Sequence, residues 1–213
     1  MNNHLMNHEP AATVLRRCAA LAVTAFLIAA CAGEKEMLVP IRSSTPVGVD
    51  LSGRWTMQDD FDEMQRRIER AIRQTDGIDE RKLLQRATSR QRRGGRPSSR
   101  DVGGLVHVFL ENAASLKITQ TEDGLFIGFN RSIVEEYRFG EARMIRTGGA
   151  VAQRVSGWDG NDYVIETLDE DGMKLTERYE LLDSASLLTR EIVLRSKDAE
   201  EVAIVQTYRM DET

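Results

Sequence analysis

The chain has 213 residues, of which 41% are hydrophobic and 30% are charged, and its net charge at pH 7 is −5. This composition excludes a largely disordered chain, which has fewer apolar residues, and a protein with many membrane spans, which has fewer charged ones. The length predicts one globular domain with an appendage.

The first 30 residues have the pattern of a secretory signal peptide. Arg16 and Arg17 precede a thirteen-residue apolar run, 18–30, whose one polar side chain is Thr24. A basic segment before a short apolar run is typical of signal peptides. Thirteen residues of helix rise only about 20 Å, less than the ~30 Å hydrocarbon core of a bilayer. We therefore predict that residues 1–30 are removed; an uncleaved membrane anchor is the alternative, and Met6 is a second candidate for the first residue.

The apolar run leads directly into a candidate lipidation site. Residues 27–31 are Leu-Ile-Ala-Ala-Cys, an aliphatic residue and small residues before Cys31. This arrangement resembles the lipobox of bacterial lipoproteins. The resemblance implies cleavage before Cys31 and acylation of its sulfur and its new amine. Ala32 follows, and in Gram-negative lipoproteins a residue other than aspartate there implies export to the outer membrane. Several acyl chains anchor a protein stably, since each buried CH₂ contributes about 0.8 kcal/mol.

The residues left after cleavage exclude several kinds of chemistry. Cys31 and His107 are the one cysteine and the one histidine of 31–213. A disulfide and a Cys/His zinc site are therefore excluded. A Ser-His-Asp site would require His107, which lies in the apolar run 105–110 and is expected to be a packed residue. No glycine-rich loop precedes a Lys-Ser/Thr pair. The sequence thus predicts no catalytic residue, no metal and no cofactor.

The predicted mature chain begins with a tether and a strand. Residues 31–50 show no sustained hydrophobic period, which predicts a flexible tether with a reach of roughly 25 Å. In 51–57 the residues Leu51, Gly53 and Trp55 fall on one face, with polar residues between them. This alternation predicts the first strand.

A helical insertion is predicted after that strand, over about 59–93, within a longer insertion at 58–114. Acidic residues at its start suit the positive end of a helix dipole, and apolar residues from Phe61 to Ile72 recur at helical spacing. Gly77 predicts the end of a first helix. Residues 81–100 then contain eight basic and no acidic residues, and their glycine- and serine-rich part predicts a flexible basic loop. The loop residues that could contact an anionic surface are Arg90, Arg92, Arg93, Arg96 and Arg100.

The basic loop allows three interpretations. It could be a solvated loop without a partner. It could contact anionic lipid headgroups, where each basic side chain contributes about 1 kcal/mol. It could also bind an acidic protein or an envelope polymer. Nucleic acid is not expected, because the predicted mature chain has 27 basic and 33 acidic residues and the loop has no interleaved aromatic side chain.

Residues 115–210 predict a meander of antiparallel strands. Short alternating runs are separated by turn signals such as Asp-Gly-Asn at 159–161. The runs are 115–121, 125–130, 132–139, 150–158, 162–168, 173–182, 187–195 and 202–210. With the first strand, the fold class is mainly β: a meander that closes into an 8- or 9-stranded barrel over residues 51–213.

Two short motifs resemble the lipocalin family. Gly53-Arg54-Trp55 resembles the lipocalin G-x-W signature, and Asn161-Asp162-Tyr163 is similar to the T-D-Y turn. The resemblance implies a lipocalin-like barrel with Trp55 packed at its closed end. The helical insertion and the number of strands after Asn161 depart from that family, so no ligand is carried over.

The candidate site residues of the barrel are its two tryptophans. Trp55 and Trp158 each lie beside a predicted strand end, where they could pack in the core or line the mouth of a cavity. The acidic residues at 166–171 predict a solvated turn in preference to a Ca²⁺ site, since the EF-hand pattern is missing.

The predicted function is that of a cell-envelope lipoprotein, held in the outer membrane through Cys31, whose non-enzymatic barrel is an interaction or scaffold module. The alternative is a periplasmic-face carrier or sensor of a small apolar ligand, which requires an interior cavity of roughly 300 Å³ or more. An enzyme would require ionisable groups that converge inside the barrel.

Overall fold

Antiparallel β-structure dominates the part of the chain that the structure describes. The computed structural model describes residues 36–75, 106–147, 150–182, 186–197 and 200–212. Its α-helix is α1 (Phe61–Thr75), and a 3₁₀ helix covers Val106–Phe109. The ten strands of these ranges are β1 (Gly53–Met57), β2 (Ser115–Gln120), β3 (Gly124–Phe129), β4 (Ile133–Arg138), β5 (Glu141–Thr147), β6 (Ala150–Asp159), β7 (Asp162–Asp169), β8 (Lys174–Leu182), β9 (Leu187–Arg195) and β10 (Glu201–Met210).

The strands form one sheet that curls into a nearly closed barrel. Their order is β4-β3-β2-β1-β10-β9-β8-β7-β6-β5, and every pair of neighbours is antiparallel. This confirms the predicted antiparallel barrel with a helix after the first strand. The barrel has ten strands, where eight or nine were predicted. The strand that was not predicted is β5, which lacks the alternation of the others because all of its residues are exposed or half-buried.

The two edge strands of the sheet, β4 and β5, follow each other in sequence. Side chains join β4 to β6 across this seam. Nη1 of Arg154 lies 2.7 Å from Oε2 of Glu135, and Oγ of Ser156 donates to the carbonyl of Arg138 at 2.9 Å. Polar side-chain contacts therefore close the barrel where the backbone ladder stops.

Helix α1 packs against β9 and β10 through one apolar face. Met64, Ile68 and Ala71 are buried at helical spacing and belong to the barrel core. The carboxylate of Asp60 caps the helix by accepting from the backbone N–H of Glu63 at 2.7 Å. Residues 76–105, with the predicted second helix and the basic loop, lie outside the described residues.

The segment from Met37 to residue 50 belongs to the same compact unit as the barrel. Leu38 is buried against Val155 and Leu168, and its N–H donates to Oε1 of Gln153 at 2.9 Å. This differs from the flexible tether predicted for residues 31–50. A few apolar residues that dock on an existing sheet do not produce a hydrophobic period of their own.

Candidate functional site

Ionisable side chains converge inside the barrel, and the main pair is Arg190 of β9 with Glu177 of β8. Both are fully buried, with exposed fractions of 0% and 1%. Nε of Arg190 donates to Oε2 of Glu177 at 3.0 Å, and Nη2 pairs with the same oxygen. The Tyr179 hydroxyl donates to that oxygen at 3.2 Å. The guanidinium carbon lies 5.4 Å from the ring centre of Phe129 and 5.7 Å from that of Tyr179.

The same arginine anchors the segment that precedes β2. Nη1 of Arg190 donates to the carbonyl of Glu111 at 2.7 Å and to Oε1 of Gln206 at 3.2 Å. Nε2 of Gln206 donates to Oδ1 of Asn112 at 2.8 Å. Hydrogen bonds thus link β8, β9 and β10 to residues 111–112.

A second buried arginine lies at the seam. Nε of Arg154 donates to Oγ1 of Thr167 at 3.1 Å, and its Nη1 pairs with Glu135. The Tyr137 hydroxyl donates to Oε2 of Glu135 at 2.7 Å. The guanidinium carbon lies 5.6 Å from the Phe109 ring centre and 5.4 Å from that of Tyr137. Within the described part of the chain, Nη2 of Arg154 is buried without a hydrogen-bond acceptor.

Burial controls the protonation of these groups. It raises the pKa of the Tyr137 and Tyr179 hydroxyls well above their ordinary value. Burial lowers the pKa of Arg190, the adjacent Glu177 carboxylate raises it, and the net direction is upward, so the guanidinium stays charged. The cluster is therefore a fixed ion pair surrounded by neutral phenols.

Large buried side chains enclose the ionic cluster. Large inward side chains surround it with 0–3% exposure, among them Trp55, Leu125, Phe129 and Tyr208. Converging ionisable groups are present inside the barrel, as an enzyme would require, but they are bonded to each other and enclosed. Their arrangement holds strands β8, β9 and β10 together.

The two tryptophans lie in the core. Trp55 has no exposed surface, and its indole N–H donates to the carbonyl of Leu51 at 3.1 Å. Trp158 is 1% exposed and makes edge contacts with Phe139 and Tyr163 at ring-centre distances of 5.5 and 5.3 Å. The structure thus places both side chains inside the packing and away from an open cavity mouth.

The predicted acidic turn contains a buried carboxylate. Asp169 is 6% exposed and accepts from the N–H groups of Met173 at 2.9 Å and Val106 at 3.2 Å. Burial raises the pKa of Asp169, against these hydrogen bonds. Asp169 therefore holds the start of the 3₁₀ helix, whereas the sequence predicted a solvated turn. The contact to Val106 spans 63 residues, so no local pattern could have indicated it.

The remaining candidates are placed as follows. His107 is half-buried in the 3₁₀ helix. Cys31 and the five arginines of the basic loop lie outside the described residues. In the described ranges, no group of three or more His, Cys, Asp or Glu side chains could hold a metal ion. No helix in those ranges is both long and apolar enough to span a membrane.

The fold and its interior define a nearly closed β-barrel with a packed, partly ionic core. No family model matches the chain, and no curated protein matches it. The solved structures that are similar to it include two from one organism. A secretory abundant heat soluble (SAHS) protein from Ramazzottius varieornatus has a TM-score of 0.45 and 13% identity, over 79% of this chain and 100% of that chain. Secretory abundant heat soluble protein 4 from the same organism has a TM-score of 0.45 and 12% identity, with the same coverage. Similarity at this level assigns no function to the chain.

Proposed function

We propose that the protein is a lipid-anchored cell-envelope protein whose barrel is a non-enzymatic interaction or scaffold module. The observation that supports this role for the barrel is its filled interior, where Trp55, Tyr179 and Arg190 have no exposed surface. A carrier of a small molecule normally has a pocket of about 300–1,000 Å³. The buried side chains pack together inside the barrel, which favours the scaffold function over the carrier function.

The anchor part of the proposal rests on the lipobox at 27–31 and on the apolar run before it. The folded unit begins at Met37, six residues after Cys31. Six extended residues span at most about 20 Å. We therefore propose that the barrel stays close to the outer membrane that carries the acyl chains.

The anchor is tested by metabolic labelling with an alkyne analogue of palmitate, in a Gram-negative host that expresses the full chain. Wild type should incorporate the label, and Cys31→Ala should not. Cys18→Ala is the matched control, because it changes the other cysteine, which lies in the predicted signal peptide. Labelled Cys31→Ala, or a wild-type mass that matches the uncut chain, would contradict the anchor.

The barrel part is tested by native mass spectrometry of the wild-type protein released from detergent. The scaffold function predicts the mass of the acylated chain with no further small molecule. A stoichiometric adduct that dissociates on collisional activation would favour the carrier or sensor function instead.

A further inference from the structure

A groove lies on the outer face of the barrel, over strands β1 to β4. Its volume is about 350 Å³, within the range of small-molecule sites. The residues that line this outer groove include Arg54, Lys117, Gly128, Arg131, Val134 and Asp211. The groove is separate from the ionic core, whose Arg190 and Glu177 are buried inside the barrel on β9 and β8.

The floor of the outer groove is open at Gly128, which has no side chain. Gly128 lies between Lys117 on β2 and Val134 on β4 in the strand register. A Cβ on Gly128 would lie 3.7 Å from Cβ of Lys117 and 3.8 Å from Cγ2 of Val134, which is ordinary van der Waals contact. An alanine would therefore fit. Since glycine weakens a strand interior, the open floor at Gly128 indicates a use for the space.

The rim of the outer groove is positively charged. Arg54, Lys117 and Arg131 are exposed, and none of their side chains has a hydrogen bond or an ion pair within the described part of the chain. Asp211 is the acidic residue of the lining, and its Oδ1 already accepts from the Thr56 hydroxyl at 2.7 Å. Three cations around one carboxylate give a local positive potential that attracts an anion.

Arg131 occupies its place on the rim in an unfavourable backbone conformation. The turn between β3 and β4 has Asn130 at φ 50° and Arg131 at φ 62°. Tight hairpin turns of this left-handed kind favour Asn followed by Gly, because a side chain at the second position is strained. Strain of this sort concentrates at functional sites. The arginine in place of glycine therefore points to a role for its charge.

We propose that the outer groove binds a phosphate group carried on a hydrocarbon chain. Arginine guanidinium groups bind phosphate oxygens in pairs, and lysine adds a point charge. The phosphate would lie among Arg54, Lys117 and Arg131. The first carbons of its chain would lie on the floor at Gly128, against the side chain of Val134, which is 68% exposed. This site is independent of the anchor at Cys31 and of the barrel interior.

The probe is hexyl phosphate, titrated into the full chain in a nonionic detergent and followed by calorimetry and by the methyl NMR signals of Val134. The combined variant Arg54→Gln, Lys117→Gln, Arg131→Gln should weaken binding at least tenfold. Gly128→Ala should weaken it several-fold, because the new methyl group fills the floor. The matched control, Arg67→Gln, Arg70→Gln, Arg73→Gln, removes the same charge from α1 and should bind as wild type does. Far-UV circular dichroism checks that each variant is folded.

Each contrary result is informative. Equal loss in the α1 control would show a diffuse charge effect and overturn the site. Hexanol binding as tightly as hexyl phosphate would show an apolar groove without anion recognition. Inorganic phosphate binding as tightly as hexyl phosphate would overturn the role of the floor. Unchanged Val134 signals during a titration that releases heat would place the ligand elsewhere and overturn the proposal.

Discussion

Replacing Glu177 by glutamine should destabilise the barrel strongly. The substitution keeps the size of the side chain and one acceptor oxygen. It removes the negative charge that pairs with Arg190, a residue with no exposed surface. An arginine cannot lose its proton in a protein, so the buried cation stays uncompensated. Breaking a buried ion pair in this way costs about 3–5 kcal/mol. A domain has about 5–15 kcal/mol of stability in total.

The reverse variant and the double variant separate the pair from its surroundings. Arg190→Met should also cost about 3–5 kcal/mol at neutral pH, since it leaves a buried carboxylate. The double variant removes both charges, and its remaining cost comes from the Glu111 carbonyl and Gln206, which lose a donor. Each such orphaned group costs about 1–3 kcal/mol. The double variant should therefore cost less than the two single variants together, by up to about 3 kcal/mol.

The assay is urea denaturation followed by the fluorescence of the two tryptophans, with linear extrapolation to water. Glu180→Gln is the matched control, because Glu180 lies on the same strand and is exposed; it should change stability by no more than about 0.5 kcal/mol. A loss below about 1 kcal/mol in Glu177→Gln would refute the reasoning. Single-variant losses that simply add in the double variant would refute it as well.

Three further predictions follow from burial. The four tyrosines are buried and burial raises the pKa of each, so stability should fall as pH rises above about 10, where only the unfolded chain releases their protons. Tyrosinate absorbance at 295 nm should appear together with the loss of far-UV circular dichroism, and tyrosinate in the folded protein near pH 10 would contradict this. Trp55→Ala should cost about 3–5 kcal/mol in urea. Trp55→Phe should cost more than Trp158→Phe, because the indole N–H of Trp158 has no hydrogen-bond acceptor in the described residues; equal costs would count against it. The raised pKa of Asp169 means that its contribution to stability is largest below its ordinary pKa of about 4 and falls as pH rises. The stability of wild type relative to Asp169→Asn should therefore fall between pH 3 and 7, and a constant difference would disprove that linkage.

The strands with an apolar inward face could be predicted from the sequence. Leu175, Tyr179 and Leu181 alternate along β8, and this strand lies where the sequence places it, within one residue at its start. Glu177 lies at an inward position of the same alternation, but a charge inside the barrel was not predicted there. Its partner could not be found in the same way. Tyr179 lies opposite Arg190 and Glu177 opposite Ile192, so the ion pair is a diagonal contact that depends on the register of two strands.

Strand β5 shows the opposite case, in which no inward face exists to be recognised. It pairs with β6 on one side and is an edge of the sheet on the other. Met144 is 60% exposed, and no residue of the strand is buried. Period-2 alternation reports burial of one face, so a strand whose residues are all exposed or half-buried gives no such signal.

The segment at 41–43 adds to the closure of the barrel beside β5. The backbone N–H of Trp158 on β6 donates to the carbonyl of Arg42 at 2.8 Å, beyond the point where β5 begins to pair with β6 at Ser156. Two glycines permit this approach: a Cβ on Gly157 would lie 2.5 Å from the Arg42 carbonyl, and one on Gly140 would lie 2.7 Å from Cβ of Ser43. The segment thus covers the end of the β6 edge that β5 leaves unpaired. The residues that permit it to dock are glycines about a hundred positions away, which is why its own sequence resembles a tether.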